Sequence, residues 1–224
     1  QQMTLACGKS ATPGLWHSYA YVNGGGMNLE WFRQEIANGG AAKADRGLAF
    51  EELERLAEQA PFDDAPVFVP HLEGRVCPSE PALRGAWLGL TRGTSLGALY
   101  RAVLESVVLE YGLYQRAMLA LFPDLVLREL RITGGGERSL LWNQMKADLL
   151  GLPVAQVQGG GGAPLGAAML AGFGVGACPD LPAAAKEWIA LGRQFAPNPE
   201  MAPHYGRRLE RYELALKAAR MVSA

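Results

Sequence analysis

A chain of 224 residues with 49% hydrophobic and 19% charged side chains can bury a substantial core. Intrinsic disorder, collagen and a continuous coiled coil are thereby excluded as descriptions of the whole. The 21 basic and 22 acidic residues leave a formal charge of -1, without the basic excess that a phosphate-neutralising nucleic-acid binder carries. Cys7, Cys77 and Cys178 are far apart and form no Cys-x-x-Cys pair, and His17, His71 and His204 are equally scattered. Neither a disulfide framework nor a metal site is expected from such spacing. No basic stretch followed by an apolar run opens the chain, and no apolar run approaches the roughly 20 residues of a membrane span. The expected setting is therefore cytoplasmic, with neither membrane nor nucleic acid as partner.

Residues 16–22 are aromatic and partly β-branched and predict a strand, stopped by Asn23-Gly24-Gly25-Gly26. A helix over about 27–37 follows, with Leu29, Trp31, Phe32 and Ile36 on its apolar face, and Asn38-Gly39-Gly40 ends it. Phe50, Leu53, Leu56, Ala57 and Ala60 recur at helical spacing and predict a second helix closed by Pro61. Val67-Phe68-Val69, between two prolines, predicts a short strand or extended segment. Residues 71–94 read as a structured loop in which Trp87, Leu88 and Leu90 call for burial.

The longest predicted element is a helix over about 95–121, ended by Pro123. A strand over 125–133 is expected next, then Gly134-Gly135-Gly136, a helix over about 139–150 stopped at Gly151, and a strand over 154–157. The glycines 159–162 lead into an alanine-rich helix over 164–171, and the tail is expected to be helical, with a final helix over about 203–221. Strand, glycine turn and helix, repeated, predict an α/β arrangement.

Cys7-Gly8-Lys9-Ser10 has the end of a phosphate-binding loop but not its beginning, because Met3 stands where the leading glycine belongs. Gly134-Gly135-Gly136 is more informative. A strand that delivers glycines to a helix N-terminus lets backbone approach a ligand and directs the positive dipole end at an anion. Spacing alone fits equally a tight turn with no ligand. Gly24-Gly25-Gly26 is a second turn of the same kind, and two in one domain point to a cleft built from both. Arg101 and Glu105, four apart on the long helix, predict an ordinary intrahelical ion pair.

The run from Arg131-Ile132-Thr133-Gly134-Gly135-Gly136 through Trp142-Asn143-Gln144 to Gly151-Leu152-Pro153-Val154 resembles the C-terminal signature of the FGGY carbohydrate kinases. So do Arg84-Gly85, Leu88-Gly89-Leu90-Thr91, the helix Tyr100-Arg101-Ala102-Val103-Leu104-Glu105 and Leu165-Gly166-Ala167-Ala168-Met169. Pro13-Gly14-Leu15-Trp16-His17 and Gly25-Gly26-Met27-Asn28-Leu29-Glu30-Trp31 fit the same family, in particular its xylulokinase-like members. The resemblance implies an actin-like, ribonuclease H-like ATPase fold, a mixed sheet flanked by helices, here without its first strands. It makes residues 1–224 the C-terminal nucleotide-binding domain of a sugar kinase whose sugar-binding N-terminal domain is not in this sequence. The implied activity is transfer of the γ-phosphate of ATP, with Mg²⁺, to a hydroxyl of D-xylulose or a related ketopentose or polyol.

The family's catalytic aspartate has no counterpart in this sequence, so the resemblance assigns no catalytic or metal-binding residue here. It assigns Gly26, Glu30, Gly135 and Ser139 to the nucleotide. Missing first strands imply an edge that self-association or another chain would cover. An actin-like module that binds nucleotide or a partner without chemistry is the alternative of a different class. Pro70-His71-Leu72-Glu73-Gly74-Arg75-Val76-Cys77-Pro78 departs from the family's Pro-Tyr-Leu-x-Gly-Glu-Arg-x-Pro by losing its Glu-Arg pair. Glu137 and Ser106 replace residues that are commonly small, and glycines 159–162 replace a stretch that usually carries an acid.

Overall fold

The computed structural model describes residues 5–40, 47–62, 65–158 and 162–223. It opens with an antiparallel hairpin of β1 (Ala6–Lys9) and β2 (Trp16–Tyr19), which accounts for the Cys-Gly-Lys-Ser segment as strand and turn. Helix α1 (Gly25–Trp31) runs on into a π-helical turn over Phe32–Ala37, and α2 (Phe50–Gln59) follows. The short strand β3 (Val67–Val69) pairs antiparallel with β4 (Ala86–Leu88), which lies inside the segment expected to be loop. Then come α3 (Leu96–Leu121), β5 (Leu130–Ile132), a 3-10 turn over Gly135–Arg138, α4 (Leu140–Leu150) and β6 (Val154–Val157). The chain finishes with α5 (Gly162–Gly174), α6 (Leu181–Trp188), β7 (Leu191–Phe195) and α7 (Ala202–Ser223). The glycines 159–161 lie outside the described residues.

The mixed sheet is β5-β6-β7, with β5 parallel and β7 antiparallel to β6. Two strands are shorter than expected. The first predicted strand ends at Tyr19, and the run 125–133 forms a ladder only over Leu130–Ile132, where β6 offers a partner. Leu125 and Val126 remain exposed. β7 was not expected: along it only Phe195 is buried, so the alternation that marks a strand is missing from its sequence.

Helix α3 is the axis of the fold. Ser95 starts it by accepting a hydrogen bond from the Ala98 N–H at 3.1 Å, and the helix is buried along most of its length against α2, β3, α4 and α7. At Gly97 the backbones of α2 and α3 approach so closely that a Cβ would overlap the Leu56 carbonyl. The core around α3 is apolar, built from Phe32, Leu53, Phe68, Val103, Leu104 and Val107 among others. Yet α3 also carries two buried carboxylates.

Glu105 does not pair with Arg101 as the i,i+4 spacing predicts. Its carboxylate accepts from Arg208 of α7, whose Nε lies 3.0 Å from both oxygens and whose Nη2 also donates to Oε2. Arg208 is 1% exposed and also donates to the carbonyls of Ala65 and Pro66, at 2.8 and 3.1 Å. Arg101 instead donates to the Ala57 carbonyl at 3.0 Å and lies over the Phe62 ring. The fold brings a better partner, because a buried fork with all three nitrogens hydrogen-bonded offsets desolvation more fully than a helical neighbour does.

Glu110 is the second buried acid. It accepts from Arg75 at 3.0 Å and Tyr212 at 2.7 Å, and meets His71 Nε2 at 3.2 Å. Hydrogen bonds from these partners and the charge of Arg75 hold its carboxyl below the usual range, although burial alone, the largest influence, would raise it. The segment that departs from the family pattern at Arg75 is thus tied into the core.

Arg208→Met keeps the volume but leaves Glu105 buried without its counter-charge, so it should destabilise the fold by about 3–5 kcal/mol. Urea unfolding of the variant beside the unmodified chain measures this; a loss under about 1 kcal/mol would contradict the role given to the pair.

Candidate functional site

A cleft of about 450 Å³ opens between α1, α2, α3 and the glycine turn before α4. Gly26 and Glu30 line it from α1, and Gly135 and Ser139 from the other side. The two glycine turns, more than a hundred residues apart in sequence, therefore meet at one cavity. Its apolar walls come from Leu29, Phe50, Tyr100, Leu104 and Trp142, and its charged rim from Glu51, Glu54 and Arg138.

The turn is shaped residue by residue. Gly134 has φ 87° and ψ -171°, a conformation closed to side-chain-bearing residues, and it redirects the chain from β5 into the 3-10 turn. A Cβ at Gly135 would meet no atom within 4 Å, so the space beside its backbone is open. A Cβ at Gly136 would lie 2.7 Å from the Trp142 ring. That ring is fixed by its own Nε1–H, which donates to the Leu104 carbonyl at 2.8 Å and pins α4 against α3. Ser139 caps α4 by accepting from the Trp142 N–H at 3.1 Å. The positive end of α4 consequently points to the cleft.

The carboxylates in the cleft are differently held. Glu30 accepts from Arg33 at 2.6 and 3.3 Å and from Gln34 at 2.5 Å. The hydrogen bond from Arg33 chiefly holds its carboxyl below the usual range. Burial pushes the Glu54 carboxyl up, Ser139 acts against this through a hydrogen bond, and the neighbouring Glu58 and Glu51 add to the rise. Ser139 thus serves the helix cap and Glu54 together.

All four residues assigned from sequence line this one cavity. Phe50, Glu51 and Glu54 were missed, because the periodicity of α2 identifies only its core-facing side. Trp142 was missed because nothing local shows that its ring closes a cleft. Among the described residues, no group of three or more His, Cys, Asp or Glu side chains is placed to hold a metal ion. No helix of the described residues is long and apolar enough to cross a membrane.

The C-terminal domain profile of the FGGY family of carbohydrate kinases matches residues 3–175. The chain belongs to this family. It is 37% identical over 176 residues to a glycerol kinase of Citrifermentans bemidjiense, covering 78% of this chain and 33% of that protein. To a glycerol kinase of Ralstonia pickettii it is 34% identical over 223 residues, covering 97% and 42%. Its structure is similar to the ligand-bound xylulose kinase of Lactobacillus acidophilus, with TM-score 0.78 and 23% identity, covering 96% of this chain and 42% of that one. The Plasmodium falciparum glycerol kinase with ADP gives TM-score 0.73 and 17% identity, covering 97% and 42%. The FGGY chain here therefore has the actin-like ATPase fold of sugar kinases, over their C-terminal portion. It spans between a third and about two fifths of the length of these curated relatives.

Behind the Trp142 wall lies a buried cation. Lys146 donates to Asn143 Oδ1 at 3.0 Å with its ammonium 4.0 Å from the Trp142 ring centre, and burial pushes its pKa down from 10.5 to about 8. The unfolded chain binds more protons than the folded one between those values, so this group makes stability rise with pH from about 8 towards 10.5. Lys146→Met should be more stable than the unmodified chain at pH 7, by on the order of 1 kcal/mol, with the difference closing by about pH 10. Urea titrations at several pH values test this; a difference that stays constant with pH would refute it. The buried tyrosines Tyr100, Tyr205 and Tyr212 titrate above their usual range and act oppositely above pH 10, but equally in both proteins.

Proposed function

We propose that residues 1–224 form the C-terminal, nucleotide-binding part of a kinase that transfers the γ-phosphate of ATP to a polyol or sugar hydroxyl. The observation that carries this reading is the meeting of Gly26, Glu30, Gly135 and Ser139 at one cleft, with open space beside both glycines. The residues fit a nucleotide. Tyr100, Leu104 and Trp142 offer apolar surface to a planar base, and Gly26 and Gly135 allow backbone to lie against ribose and phosphate. The α4 end and Arg138 favour negative charge. Glu30, already held by Arg33 and Gln34, can accept from ribose or base donors without being reoriented. When bound, ATP supplies the phosphoryl group, and Mg²⁺ arriving with it offsets the phosphate charge.

The first acceptor to test is glycerol, because the glycerol kinases above are 34–37% identical, whereas a xylulose kinase of Staphylococcus epidermidis is 24% identical. D-Xylulose is the second. The base that deprotonates the acceptor would belong to an N-terminal domain, together with most of the sugar contacts. The exposed aromatic residues of the β1–β2 hairpin, Trp16 and Tyr19, suit a surface covered by further chain.

The 224-residue chain should bind a non-hydrolysable ATP analogue yet show no turnover with glycerol or D-xylulose, ATP and Mg²⁺ in a coupled assay. Turnover would overturn the assignment of the base to a separate domain, while absence of nucleotide binding would favour a module that binds only a partner chain.

Gly135→Val puts its Cβ where no atom of the described residues lies within 4 Å, at a position where φ is not positive, so the fold should tolerate it. Affinity for the analogue should fall at least about tenfold, about 1.4 kcal/mol, with the melting temperature nearly unchanged. Calorimetric titration and a melting curve check both; unchanged affinity in the folded variant would remove Gly135 from the site.

A further inference from the structure

A second cavity, of about 360 Å³, lies between the C-terminal half of α3, α7 and the loop that follows β3. Arg75, Arg116, Lys217 and Arg220 line it, against a single lining carboxylate, Glu213. Leu113 and Leu216 add apolar surface. The nucleotide cleft touches α3 at Tyr100 and Leu104, whereas this cavity touches it at Leu113, Arg116 and Ala117. Leu104 and Leu113 are nine residues apart, so about 14 Å of helix separates the two.

The cations are only partly satisfied by the protein. Arg75 is 5% exposed; its Nη groups reach Glu80 and Glu110, at 3.3 and 3.0 Å, but its buried Nε–H has no acceptor among the described residues. Arg220 pairs with Glu80 at 2.5 and 2.8 Å, and Arg116 with Glu213 at 3.3 Å, the latter pair half exposed. Lys217 is exposed and has no ion-pair partner among the described residues. With Glu80 and Glu110 counted behind the lining, four cations face three carboxylates, and the surplus charge sits on the cavity side. Planar guanidinium forks beside a mobile ammonium suit a tetrahedral, multiply charged oxyanion.

We propose that this cavity binds a small phosphate-bearing anion, orthophosphate, pyrophosphate or a phosphate ester, at a site separate from the nucleotide cleft. Arg75 supplies positive charge at its inner end, Arg116 and Arg220 flank it, and Lys217 closes over it from α7.

The test is calorimetric titration of the 224-residue chain with pyrophosphate at low ionic strength, alone and with a saturating non-hydrolysable ATP analogue. One saturable site is expected in both titrations, with affinities that agree within about twofold. Lys217→Glu alters an exposed side chain with no hydrogen bond or ion pair among the described residues, so the fold should survive; it should weaken binding at least about tenfold, and Arg116→Ala should weaken it in the same direction. Repeating the titration with orthophosphate and glycerol 3-phosphate separates a free phosphate site from one that prefers an ester. No saturable binding up to about 10 mM, unchanged affinity in Lys217→Glu, or abolition of binding by the ATP analogue would overturn the proposal.

Discussion

Two carboxylates on a buried helix constrain everything around them. Glu105 and Glu110 lie five residues apart on α3, about 140° around its axis, so they demand counter-charge on two different sides. Arg208 of α7 answers the first, and Arg75, His71 and Tyr212 answer the second. Neither demand can be left unmet in a dry interior, because an unpaired buried charge costs more than most single contacts contribute. The consequence is a helix fixed in rotation as well as position. Both cavities are built on it, one at Tyr100 and Leu104 and the other at Leu113 and Arg116, so the geometry of each rests on the same pair of buried acids.

Local signals made a large part of this architecture legible. Ser95 and Ser139 mark helix starts and become side-chain caps, Gly151 marks a stop and has φ 63°, and the strand read over 154–157 is β6 to the residue. What was illegible depends on distant partners. The strand β4 sits among glycines and prolines and exists because β3 pairs with it. The 125–133 run lost most of its strand because only Leu130–Ile132 finds a neighbour. Arg101 and Glu105 carry the pattern of an intrahelical pair, and nothing within the helix reveals that Arg208 outcompetes it.

The candidate site divides in the same way. Its glycine turns are written locally, since strand, glycine and helix follow one another in the chain. Two such turns in one domain point to a shared cleft, the family resemblance supplies the four residues, and the fold of the chain brings those four to one cavity. Glu54, Phe50 and Trp142 are legible only once α2 and α4 are docked. Arg75, Arg116, Lys217 and Arg220 are spread across much of the sequence and give no cluster signal at all. Where the family has its Glu-Arg pair this chain has an arginine that reaches Glu80 and Glu110, so a departure from the family motif coincides with a buried ion-pair network.

The ion pair between Glu105 and Arg208 joins positions 103 residues apart. A ribosome adding about 5–20 residues per second would release α3 roughly 5–20 seconds before its counter-charge on α7 exists. During that interval the longest helix of the described chain carries a carboxylate that no buried position can accept. The nascent helix is thereby discouraged from burying that face too early or against the wrong surface. Its final docking awaits α7, the last segment of the described chain to be made, so a message truncated before residue 208 would yield a helix with no permanent place.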